Sequence, residues 1–148
     1  MTSKQSSSTS ATSLRSPAPL LKPVLDAVGK DAVARAFAAA LFERLSPEEL
    51  AIHSADAWAA LARDALDFVR NRKPGKPSVR VFNPEQKKHG WDLPRSVLQI
   101  ANDDMPFLVD SVTNALTEAG VGVHALMHPV ISVDRDKSGK LKAVGAGE

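Results

Sequence analysis

The run Asn102-Asp103-Asp104-Met105-Pro106-Phe107-Leu108-Val109-Asp110-Ser111-Val112 decides how the second half of this chain is read. Before it, Ser96 to Ala101 is short and rich in apolar residues, the signature of a strand. Inside it, Pro106 fits a first helical position, where the N–H it lacks has no intrahelical partner anyway. Asp103 and Asp104 set negative charge at the positive end of the helix dipole. Val109, Val112, Leu116 and Ala119 then recur at helical spacing, Leu108 and Ala115 widen the stripe towards a core, and Gly120 is a stop.

A strand is predicted next. Val121, Val123, Ala125, Met127, Pro129, Ile131 and Val133 are apolar, and the residues between them include His124, His128, Ser132 and Asp134. That period of two turns one face to a core and the other to water or a partner, and it makes His124, Leu126 and His128 a candidate interface strand. Pro129 cannot donate to a ladder and marks a bulge, a bend or an edge. Asp134 to Lys140 reads as a tight turn around Ser138-Gly139, and Leu141 to Val144 as a returning strand.

Working back to the start, residues 1–22 hold no acid, three bases (Lys4, Arg15, Lys22) and ten Ser or Thr among the first sixteen. Too little apolar surface is present to offset ordering entropy, so a disordered leader is expected, with an organelle transit peptide as the minor alternative. Residues 23–72 read as helical. Val33, Phe37, Leu41 and Leu45 recur every four residues; Ser46-Pro47-Glu48-Glu49 is a fresh helix start; Trp58, Leu61, Ala65, Phe68 and Val69 form a second stripe. Residues 73–95 are a bridge with a short strand around Val79 to Phe82, and residues 96–148 hold the strand, helix, strand unit.

Composition excludes several function classes. At 148 residues and 43% hydrophobic content the chain suits one ordinary domain, and a net charge of +2 dictates no partner. Without cysteine there is neither disulfide nor thiol catalysis, which is compatible with a cytoplasmic setting. No apolar run is long enough for a secretory signal or a membrane span.

Three patterns invite functional readings. From Arg70 to Arg95 there are eight bases against two acids, with Phe82 and Trp91 interleaved, as in a nucleic-acid adaptor. No recognition motif accompanies the charge, so a solvated linker with Trp91 packed on the helices is preferred. Asp134-x-Asp136-x-Ser138-Gly139 resembles the opening of a calcium loop, yet Gly145 stands where a bidentate glutamate belongs and Lys137, Lys140 and Lys142 oppose a cation; a hairpin turn is preferred. His124 and His128 lie about 13 Å apart on a strand at about 3.3 Å per residue, too far to share one metal ion. No dinucleotide fingerprint, phosphate loop or recognisable nucleophile is present, so neither catalytic nor metal residues are assigned and no cofactor is expected on this chain.

The run Arg80-Val81-Phe82-Asn83-Pro84, then Gly90-Trp91, then Asp103 to Val112, then His128-Pro129-Val130 and Arg135-Asp136, resembles the N-terminal region of the large bacterial NAD-specific glutamate dehydrogenases over residues 25 to 142. The resemblance implies an α+β fold: an N-terminal helical segment followed by a partial ACT-like unit of the ferredoxin-like β-α-β-β kind. It implies a noncatalytic regulatory or assembly segment whose parent enzyme uses NAD, with nicotinamide and glutamate residues far downstream. It also points to Asn102, Asp103, Asp104, Met105, Pro106, Phe107 and Leu108 as the loop where such modules hold an amino-acid effector or meet a partner. Phe107 stands where ligand-binding ACT modules usually carry glycine, so assembly is favoured over sensing. The second helix and fourth strand of such a unit do not follow Leu141, as in a cut fragment or shortened product; an open sheet face and edge would then favour self-association or contact with the rest of a dehydrogenase. The alternatives are a freestanding ACT-like amino-acid binder and a nucleic-acid adaptor.

Overall fold

The structure is a computed structural model that describes residues 19–145. Most of the expected leader lies outside these residues. Its last four residues are a correction: Pro19–Leu21 is a 3-10 turn that runs into helix α1 (Lys22–Val28). The reason is an apolar stripe, because Leu21, Val24, Leu25 and Val28 share one face and all four are buried.

Each following helix starts where its local chemistry directs. Helix α2 (Ala32–Phe42) is capped by Asp31, whose carboxylate accepts from the N–H groups of Val33 and Ala34 at 2.9 and 3.1 Å. Helix α3 (Pro47–Leu50) carries a complete capping box: the Ser46 hydroxyl accepts from the Glu49 N–H at 3.1 Å, and the Glu49 carboxylate accepts from the Ser46 N–H at 2.8 Å. Helix α4 (Ala55–Arg70) is capped by Ser54. These helices pack around Phe37, Ala38, Phe42, Trp58, Ala59, Ala62 and Leu66. Alanines on the facing stripes let the backbones approach closely. Trp58 meets Phe42 edge-on at 5.1 Å and satisfies its buried indole N–H on the Leu50 carbonyl at 2.9 Å.

Two separate antiparallel hairpins lie against this helical core. Strands β1 (Ser78–Phe82) and β2 (Val97–Ala101) pair with Val79 opposite Ile100 and Val81 opposite Leu98. Their connection holds the short helix α5 (Gln86–His89) and the buried Trp91, as the linker reading expected. After helix α6 (Leu108–Glu118), strands β3 (Ser132–Arg135) and β4 (Leu141–Gly145) form the second hairpin. Leu141 is buried in the helical core, and Ile131, Val133 and Val144 pack against it. The architecture is α+β, and β2, α6, β3 and β4 follow in β-α-β-β order.

Two expectations in this unit are corrected. The helix begins at Leu108, not at Pro106; Phe107 is its cap residue, with φ of 64°. Phe107 lies in the left-handed region, outside the dihedrals of a right-handed helix, so Pro106 is cut off from the helix and the first helical residue is Leu108. The strand predicted over Val121 to Val133 is a strand only from Ser132. Alternation alone supplies no ladder: among the described residues the β3–β4 pairing begins at Ser132 opposite Gly145, and residues 121–131 pair with no strand. Pro129 also removes one N–H from any such ladder.

Candidate functional site

The loop from Asn102 to Leu108 leaves β2 and is exposed over Asp103 to Phe107. Its two ends are held differently. Asp103 accepts from the Arg72 guanidinium at 2.6 Å, across the gap between the end of α4 and the end of β2. Asn102 donates weakly to the Met105 sulfur at 3.4 Å. Asp104 and Pro106 are exposed, and Leu108 is half-buried as the first helical residue.

Phe107 is the feature that most limits the loop's chemistry. Its backbone lies in the left-handed region at φ 64°, the conformation in which glycine is least penalised, and its ring is 78% exposed. As the cap residue of α6, Phe107 puts a bulky side chain at a position where glycine would leave the backbone N–H groups more open to a ligand carboxylate. The resemblance alone singles out this position; its left-handed backbone is not legible in the sequence.

Arg135 ties the second hairpin to the end of α4. Its guanidinium donates to the carbonyls of Val69 and Arg70 at 2.8 and 3.1 Å, at the C-terminal end of α4, and to Gly139 in its own hairpin at 2.8 Å. A cation at the negative end of the helix dipole is favourable, and here it also joins the β3–β4 hairpin to α4. Burial, and next the neighbouring Arg72, lower the Arg135 pKa from its ordinary value. Sequence reasoning used Arg135 only as part of a resemblance and missed this role, because its partners are backbone atoms more than sixty residues away.

His124, Leu126 and His128 are all exposed on the stretch without a ladder, and no hydrogen bond or ion pair joins them to the 102–108 loop among the described residues. Nor do the described residues contain three or more His, Cys, Asp or Glu side chains grouped to hold a metal ion. Part of the basic bridge is taken up by the fold: Arg72 holds Asp103, Arg80 holds Asp64, Lys88 lies 3.5 Å from Glu85, and Trp91 is only 3% exposed. A ring so covered offers no face for a base to stack on. Asp136 sits in the hairpin turn, where one carboxylate oxygen accepts from the Ser138 N–H and hydroxyl and the Lys140 N–H at 2.6 to 3.0 Å. That oxygen closes a turn, as the hairpin reading expected.

An open cleft of about 280 Å³ lies elsewhere, lined by Asp31, Arg63, Asp67 and Arg70 over Val28, Ala34 and Leu66. Its charges have internal work: Asp31 caps α2, Arg63 donates to the Ala27 carbonyl, and Arg70 lies 3.7 Å from Asp67.

The surface the sequence did not announce is the outer face of the first hairpin. Residues directly opposite in an antiparallel pair share a face, so Val79, Ile100, Val81 and Leu98 stand together, and they point away from the helices. Val79 and Val81 are 60% and 68% exposed, whereas Leu98 and Ile100 are 36% and 37% exposed. The open strip runs along β1.

Residues 37–148 match the family model described as the ACT1 domain of glutamate dehydrogenase. The chain is 34% identical over 112 residues to the NAD-specific glutamate dehydrogenase of Halomonas elongata, and 33% identical over 108 residues to that of Pseudomonas aeruginosa. These alignments cover 76% and 73% of this chain and 7% of each relative. No solved structure matches the chain.

Proposed function

The chain belongs to the family of the glutamate dehydrogenase ACT1 domain, and from that premise we propose that it is the noncatalytic N-terminal assembly segment of a large NAD-specific glutamate dehydrogenase. The parent reaction is the oxidation of glutamate with NAD and water to 2-oxoglutarate, ammonia and NADH, carried out in the cytoplasm. NAD and glutamate are held by the remainder of that enzyme, and this segment contributes contact surface. One observation carries assembly over effector binding: the exposed Phe107 ring on a left-handed backbone beside the α6 N-terminus, with Asp103 already committed to Arg72. A bulky side chain at the cap position crowds the approach of a carboxylate ligand to the backbone N–H groups more than glycine would.

Two measurements test the reading. The intact mass of the native species, detected with an antibody to this segment, is expected far above 15.8 kDa; a species of 15.8 kDa would end the proposal. Titration calorimetry of the segment against a panel of amino acids is expected to give no heat. Saturable heat with one of them would replace assembly by sensing and restore the freestanding binder.

A further inference from the structure

We infer that the β1 half of the outer face of the first hairpin, Val79 and Val81 backed by Ile100 and Leu98, is the docking site for an amphipathic helix supplied by the remainder of the dehydrogenase chain. The inference rests on the assembly reading above and names the surface and its occupant. A two-stranded sheet is stable in water only when a face is covered or a helix packs on it. Here the covered face is the more polar one, built on Arg80 and Gln99, and the branched apolar residues are outside.

Size selects the occupant. The two strands lie about 4.8 Å apart and the two rows of paired side chains about 7 Å apart along the strand, a strip no wider than one helix about 10 Å across. A second copy of the chain is a poorer fit. A stable dimer buries about 800 Å² per partner through roughly 20 to 30 residues a side, whereas this face offers four side chains. An occupant from the same polypeptide needs no such area, because it gives up no translational freedom on docking. The relatives supply ample chain for this, since the region matched here is 7% of their length. The open part of the face is on β1, where Val79 and Val81 are 60% and 68% exposed, and none of the residues of helix α6 is buried.

The test places a benzophenone-bearing residue at position 81 in the intact dehydrogenase and in the 148-residue chain, and maps the crosslinks. In the intact enzyme they are expected in one segment outside residues 1–148, at sites three or four residues apart, and Val81→Glu is expected to abolish protection of β1 from hydrogen exchange there while leaving the melting of the 148-residue chain unchanged. Crosslinks to the same segment of a second copy, or at sites two residues apart, overturn the helix. An uncrosslinked β1 that exchanges equally fast in both proteins overturns the docking site while leaving the assembly reading standing. A native species of 15.8 kDa overturns both.

Discussion

Arg80 donates to Asp64 at 2.6 Å, and this pair fixes which face of the first hairpin turns towards α4. The same guanidinium donates to Gln99 at 2.6 Å and lies over the rings of Phe68 and Phe82 at 4.9 and 4.3 Å. Because side chains alternate along a strand, drawing Arg80 inwards sends Val79 and Val81 outwards.

Breaking the pair is therefore costly. Asp64→Ala leaves a mostly covered cation without its carboxylate and is expected to destabilise the fold by about 1–3 kcal/mol in urea unfolding. Arg80→Lys is expected to recover only part of the loss from Arg80→Ala, since an ammonium group cannot serve two acceptors and two rings in the same geometry. Full recovery by lysine would mean that charge alone matters.

Phe107→Gly is expected to hold stability level or raise it by up to about 1.5 kcal/mol. A left-handed non-glycine residue costs roughly 1–2 kcal/mol, and the added freedom of glycine in the unfolded chain returns about 0.5–1 kcal/mol of that. Little burial is lost, because the ring is 78% exposed. A clear fall in melting temperature would show that the ring packs more than its exposure indicates.

Arg135→Ala is expected to cost about 2 kcal/mol, by removing a charged donor from carbonyls at the end of α4 and in the hairpin. Hydrogen exchange locates the effect: protection should fall at the C-terminal turn of α4 and in β3–β4 together. A change confined to the hairpin would refute the clamp.

Asp136 makes the second hairpin sensitive to acid. Hydrogen bonding, first from the Ser138 hydroxyl and then from the Lys140 N–H, lowers its pKa from the ordinary 3.8. Its contribution is complete above pH 3.8 and is lost as pH falls through the lowered value, when the carboxylate takes a proton and ceases to accept fully. The amide resonances of Ser138 and Lys140 should move together in that window, and Asp136→Asn should remove the transition.

The sequence by itself determined whatever is settled within a few residues. The Ser46 to Glu49 capping box, the stripes of α2 and α4, the small strand at Val79 to Phe82 and the turn from Asp136 to Gly139 were all legible, because each is closed by near neighbours. Tertiary structure decided what needs a distant partner. Residues 121–131 alternate as a strand should, yet alternation names faces and supplies no ladder. The pattern around Val79, Arg80 and Val81 is symmetric in period, so only Asp64, sixteen residues away on another element, decides which side is in. Arg72 and Asp103, thirty-one residues apart, likewise turned an expected helix-dipole charge into a tether. Local hydrogen bonds and helical spacing are written in neighbouring residues; the sign of a face and the partner of a strand are set by contacts that only folding brings together.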